Sequence, residues 1–400
     1  MYLPRVKNDS VWGSLKFLFL GALLIFLINN WFGFDNALTT GVIDRWQILI
    51  HLHAGSVGWI TLSAIGLMLW VYTGDRSVDA AHEGQARLLA QGATVIFALY
   101  VVAFGLSYAF EDSFLVYVHP ILGVLAVLTL WWATIWSFGQ MKHQAPLTTV
   151  HLLATGALLT ASIGATVGML LGLEHAIGQF LPLADDRIGA HAAMMDTYLF
   201  LVASAIIELV HRKEASRWGW AGLAQAVLWM VAAALVPIAY FLNLVQQILP
   251  LFGLMLIGGM VIFLVRFGWR ALVSLPTGAG VKAWAFFGAL GLVAYFAMFM
   301  YGVSIGFDFA VMPSWFFAVF AHVGFVGMMT NVLMALQASR GQAAKAVLPW
   351  GEPAALWLMN LGIIAFLGLK IASDIRTGAW VMGAGVVLGV VVMGMRVNRS

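Results

Sequence analysis

Twelve runs of predominantly apolar residues follow one another along the 400-residue chain, at about 15–33, 48–72, 86–108, 115–138, 148–171, 188–210, 219–244, 248–266, 282–303, 313–337, 351–370 and 377–395. A helix that crosses a bilayer needs ~20 such residues. Inside hydrocarbon a chain must satisfy its own backbone donors and acceptors, so continuous apolar runs of this length point to helices. The expectation is an all-α polytopic membrane protein with 12 transmembrane helices, forming a single integral-membrane helical domain over 1–400. The seventh and eighth runs are separated only by "NLVQQILP", and merging them would leave eleven spans.

Composition supports the bilayer as solvent. The chain is 62% hydrophobic and 9% charged, with a mean hydropathy of +0.95. A soluble domain usually carries about a quarter charged residues, so too little polar surface remains here for water. The 42 glycines suit close helix packing in lipid. Cysteine is absent, which removes disulfides, thiolate metal ligands, iron–sulfur centres and covalent haem attachment from this chain. A net charge of +3 with no large basic cluster gives no reason to expect a nucleic-acid partner. The N-terminus has a positive start and an apolar run but no clear small-residue cleavage site, so a retained first span is expected.

Charge asymmetry gives the orientation. With both termini cytoplasmic, only Arg45, Arg187, Lys370 and Arg376 lie outside, and the other sixteen of the 20 basic residues lie inside. The inside set includes Arg5, Lys7, Arg76, Arg212, Lys213, Arg217 and Lys345. This positive-inside bias supports an even number of spans.

Five of the ten histidines fall at the outer level of even-numbered spans: His51 and His53 on span two, His119 on span four, His191 on span six and His322 on span ten. Polar residues within a membrane are costly unless they line a cavity or bind something. "HAGSVGW" from His53 and "HVGFVGM" from His322 share a glycine two residues later and another five residues later. On a helix, Gly55, Gly58, Gly324 and Gly327 then open part of the surface near each histidine, for a planar ligand or for a neighbouring helix. Two neutral imidazoles from facing helices form the simplest axial pair for one low-spin haem b. His51 lies about 200° around the helix from His53, so it faces the rim or belongs to a second site. His51, His119 and His191 are candidates for that site, with a second haem or with copper, iron or zinc, and Met194, Met195 and Asp196 lie nearby in sequence. His82, His143, His151, His175 and His211 read as interfacial or capping residues.

This pattern resembles subunit I of the haem-copper oxidases, in particular the branch of cbb3-type oxidases and nitric oxide reductases. The resemblance implies a twelve-helix bundle with a low-spin haem held by histidines of spans two and ten, here His53 and His322. It also marks departures. Phe320 stands where the family carries the proximal ligand of its active-site haem, and span seven lacks the histidines that complete the binuclear centre, leaving His191 without them. A conventional oxygen- or nitric-oxide-reducing centre is therefore not expected. NnrS-like proteins, of similar length and thought to bind haem and copper, offer a second resemblance.

The functional expectation is a membrane haem b protein in electron transfer, a subunit of a quinol- or cytochrome c-linked complex in a bacterial-type inner membrane. Glu174, Asp185, Asp186 and Asp308 would make the outer face acidic and suit a basic cytochrome c domain. The alternatives are a divergent oxidase or reductase with a second site near spans four and six, and a proton-coupled transporter using Asp196 or Glu208.

Overall fold

The computed structural model describes residues 9–38, 45–73, 80–143, 147–178, 187–211, 219–273, 280–305, 312–313, 315–340, 348–371 and 376–399. Arg5, Lys7, Arg76, Arg212, Lys213, Arg217, Lys345, Asp185, Asp186 and Asp308, used above for orientation and surface charge, lie outside the described residues. Among the described residues there are twelve helices long and apolar enough to cross a membrane. They are α1 (Val11–Ala37), α2 (Trp46–Thr73), α3 (His82–Ala109), α4 (Leu115–Met141), α5 (Thr149–Ile177), α6 (Ala190–His211), α7 (Trp220–Phe241), α8 (Val245–Val273), α9 (Val281–Ser304), α10 (Phe316–Ser339), α11 (Gly351–Gly368) and α12 (Arg376–Arg399).

Six of the twelve, α1, α3, α4, α5, α8 and α12, run about a turn or more beyond the apolar run at one end at least, whereas α7 falls short of its run at both. The boundary between the seventh and eighth runs is a real break. Asn243 takes a left-handed conformation, φ 55°, which an asparagine tolerates and which stops a helix. The Leu244 N–H turns back to the carbonyl of Ala239 at 2.8 Å, and α8 starts immediately after.

The chain packs as two compact units. One contains Lys16–Ser63 and Arg270–Ser400, hence most of α1, the first half of α2 and all of α9–α12. The other contains Tyr2–Leu15 and Ala64–Trp269, hence the end of α2, all of α3–α7 and nearly all of α8.

In the first unit, backbones approach one another at glycines. A Cβ on Gly362 would strike the backbone of Met382, and one on Gly378 or Gly385 would strike the backbone of Phe366 or Met359. These three positions seat α11 against α12 as small residues do in lipid, where dispersion and not water expulsion draws helices together. Asn331 of α10 and Asn360 of α11 exchange amide hydrogen bonds of 2.9 and 3.1 Å, and both residues are buried. Glu352 binds Arg396 at 2.5 Å and accepts from the Trp284 indole at 3.2 Å.

In the second unit a buried polar cluster joins four helices. Arg266 of α8 donates to Glu208 of α6 at 3.2 Å, to Thr149 of α5 at 2.9 Å and to Gln225 of α7 at 3.0 Å. Thr149 also donates to Glu208. Glu208 is inaccessible to solvent and the Arg266 side chain is 9% exposed. Arg266→Met would leave the carboxylate buried without its cation. A cost of about 3–5 kcal/mol is expected, seen as a lowered thermal unfolding midpoint in detergent that Glu208→Gln in the same chain partly restores.

Candidate histidine sites

Among the twelve spans α2, α6 and α10 are the most deeply buried and α8 the least. These are also the spans that carry His51, His53, His191 and His322. Lipid-facing α8 shows the opposite pattern, with Leu254 and Val265 exposed.

A local irregularity follows two of the histidines. In α2 the α-helix ends at His53 and an eight-residue π-helical stretch runs from Ala54 to Thr61. In α10 the same happens after His322, with a π-helical stretch from Val323 to Thr330. Such turns are rare and concentrate at functional sites. Each is closed by a threonine that donates to the carbonyl five residues back: Thr61 to Ser56 at 2.9 Å and Thr330 to Phe325 at 2.8 Å. Aligned on the histidines, both segments read H-x-G-x-V-G-x-x-T. The valines Val57 and Val326 and the terminal threonines were a further sequence signal that the glycine spacing alone did not exhaust. Asn331 adds a bond from its amide to the Gly327 carbonyl at 2.8 Å, and Trp59 donates to Thr330 at 3.2 Å, linking α2 to α10.

The glycines mainly serve helix packing. A Cβ on Gly55 would lie 3.2 Å from the Asn29 amide of α1, and one on Gly58 would run into Ile25 of the same helix. On α10, a Cβ on Gly324 would lie 2.5 Å from the Tyr295 ring of α9. Of the two readings open for these positions, close approach of a neighbouring helix accounts for Gly55, Gly58 and Gly324. Gly327 is looser: its nearest neighbour outside its own turn is Ile363 at 3.7 Å. Trp59 lies flat on Phe26 at 4.8 Å, also a packing role.

Hydrogen bonding sets the chemical state of the imidazoles. His51 Nδ1 lies 3.0 Å from the Asn29 carbonyl, His53 Nδ1 2.9 Å from Leu49 and His322 Nδ1 2.6 Å from Ala318. A carbonyl can only accept, so each Nδ1 carries the proton and each Nε2 of the neutral ring holds a lone pair. That is the state of a metal-binding histidine with its supporting backbone bond in place. The rings of His51 and His322 have centres 6.1 Å apart, tilted by 32°. His322 also packs on Phe366 at 4.5 Å. His51 and His53 are two residues apart in regular α-helix, so the face that meets His322 is that of His51. Phe320, two residues before His322 and equivalent to His51, stacks on Tyr295 at 4.4 Å and on Phe316 at 5.6 Å.

The second unit holds the remaining candidates. His191 Nδ1 bonds the Gly164 carbonyl of α5 at 2.8 Å, and a Cβ on Gly168 would lie 2.6 Å from its ring. Met194 and Met195 pack on Gly164. His119 of α4 is buried and lies beside His175. His175 lies beyond the apolar run that ends at 171, yet it belongs to the last turn of α5. His151 plays the capping role expected of it: its Nδ1 accepts from the Thr148 N–H at 3.2 Å. Among the described residues no group of three or more His, Asp or Glu side chains is gathered as a metal cage.

No protein-family model matches the chain, and no curated protein matches it. The site therefore rests on its own chemistry. Gly324→Ala tests the packing role assigned to that glycine. The added methyl must displace the Tyr295 ring, so a loss of about 1–3 kcal/mol is expected, and a Tyr295→Ala background should relieve the clash in thermal unfolding.

Proposed function

We propose that the chain is a membrane haem b protein that carries electrons, a subunit of a quinol- or cytochrome c-linked redox complex. The observation that carries this reading is the pair of neutral imidazoles from α2 and α10 with centres 6.1 Å apart. A bond from a metal to an imidazole nitrogen is about 2 Å, and the nitrogen lies roughly 1 Å from its ring centre. Two imidazoles that face one another across one metal therefore have centres about 6 Å apart. His322 would hold the haem iron from α10. The spacing favours His51 as the other ligand, in place of His53 as the family resemblance implies; His53 keeps its place as the alternative ligand on α2.

Bound there, the haem would supply reversible one-electron chemistry. The protein's part is to hold the two ligands in the correct tautomer through the Asn29 and Ala318 carbonyls. The π-turns fix the facing surfaces of α2 and α10, and the indole of Trp59 bridges them. With Phe320 in an aromatic stack, α10 offers no second imidazole beside His322, which supports electron transfer over a conventional oxygen or nitric oxide reduction centre. Proton-coupled transport through Glu208 finds less support, because that carboxylate is occupied by Arg266 and Thr149. An inner membrane with both termini cytoplasmic suits the charge distribution.

Reduced-minus-oxidised spectra of the purified protein test the reading. A low-spin haem b signal is expected, abolished by His322→Ala and by His51→Ala and largely kept by His53→Ala. Loss in His53→Ala with retention in His51→Ala would return the α2 ligand to His53. Wild-type protein without haem, even after expression with excess haem, would overturn the proposal.

A further inference from the structure

We propose that His119 and His175 form a separate binding site for one late transition-metal cation of the imidazole-binding class, Cu(I) or Zn(II), at the shared end of α3, α4 and α5. The inference does not depend on the haem reading, since it concerns other residues in the second unit.

His119 is 1% exposed, and neither of its ring nitrogens makes a well-formed hydrogen bond. The one polar group its own turn offers is the Val116 carbonyl, which leaves the second nitrogen without a partner in any case. An imidazole has both a donor and an acceptor to satisfy, and burying either without a partner costs about 1–3 kcal/mol. The guanidinium and carboxylate of the Arg266 cluster in this unit are paired across helices, whereas His119 has both ring nitrogens left over for a ligand. Beside it stands His175, with ring centres 5.9 Å apart and planes tilted by 49°. Two imidazoles on one metal have centres about 6 Å apart when opposed and about 5 Å apart at a tetrahedral angle, so this spacing suits the wide angle of a low-coordinate ion.

The surroundings fit an ion. Gly172 lies one turn before His175 on α5, and a Cβ there would come within 3.1 Å of His119 Nε2. A side chain at Gly172 would crowd that nitrogen from the side of α5. From α3, Tyr108 lies flat on His175 at 4.3 Å and Phe104 meets His119 edge-on at 5.6 Å. These aromatic walls restrict both rings and suit a single ion better than a planar macrocycle.

Both candidate cations have a filled d shell and take imidazole nitrogen as a ligand. Cu(I) accepts few ligands, and two imidazoles are enough to hold it. Zn(II) would complete four positions with water. The experiment separates them. The intact protein in detergent is stripped with a chelator, then titrated with Cu(I) under anaerobic reductant or with Zn(II), each against a chromophoric competitor. One equivalent of one cation is expected to bind. Its affinity should fall by roughly 100-fold or more in His119→Phe and in His175→Ala, at or above the range for loss of a supporting residue. His82→Ala should leave it unchanged. His175 sits at the half-buried margin, so His175→Ala decides the matter if His119→Phe aggregates on size exclusion. X-ray absorption at the edge of the bound metal should show imidazole scattering in the wild type that is lost in the variants. Absence of stoichiometric binding of either cation, or equal binding in folded His175→Ala, would overturn the proposal. Haem absorbance read on the same samples reports the α2–α10 site separately.

Discussion

An unpaired polar group in a hydrocarbon-embedded helix bundle has no water to fall back on, and that cost organises this protein. Where imidazoles, amides and charges are drawn into the spans, most are tied to something specific. His51, His53, His191 and His322 each give one ring proton to a backbone carbonyl. Asn331 and Asn360 satisfy one another, and Glu208 meets Arg266 and Thr149, with Gln225 on the same guanidinium. The same rule gives the spare lone pairs their meaning. A neutral imidazole with Nδ1 engaged retains Nε2 as a ligand, whereas His151, whose Nδ1 accepts, is committed to capping a helix.

Glycine and the π-turn work together on this background. The glycines of α2 let α1 approach, and Gly324 of α10 lets α9 approach, so each histidine-bearing helix is seated on the helix before it. A π-turn inserts one residue into the helical register and rotates the later turns of the helix relative to the earlier ones. Placed directly after His53 and His322, it lets the imidazoles and the packing face behind them be oriented separately. The equivalent positions His51 and Phe320 then diverge: one presents an imidazole beside His322, the other an aromatic stack on Tyr295.

Much of this was readable in the residues. Twelve spans followed from apolar length and from the alternation of basic residues, because lipid leaves a chain few choices. The histidine–glycine motifs were visible, and so was their repetition on two spans. Less visible was what each glycine faces. A planar ligand and a neighbouring helix both require a missing Cβ, and spacing cannot distinguish them. His53 was expected to face His322, yet the ring beside His322 is that of His51, because the two differ by a rotation that matters only once the neighbouring helix is in place. His175 looked like a loop residue because Glu174, His175 and Gly178 end the apolar run, yet α5 continues through it and brings the ring to His119.

Composition and local period were enough to set the class of solvent, the number of crossings, the absence of cysteine chemistry and the pool of imidazoles from which any site must be drawn. These properties act along the chain and need no knowledge of neighbours. Which imidazoles meet, which nitrogen of each ring is committed and which glycines are already filled by a neighbour came only with the packed helices. Those outcomes depend on segments distant in sequence approaching to within van der Waals contact, where a rotation of one residue exchanges a ligand for a packing face.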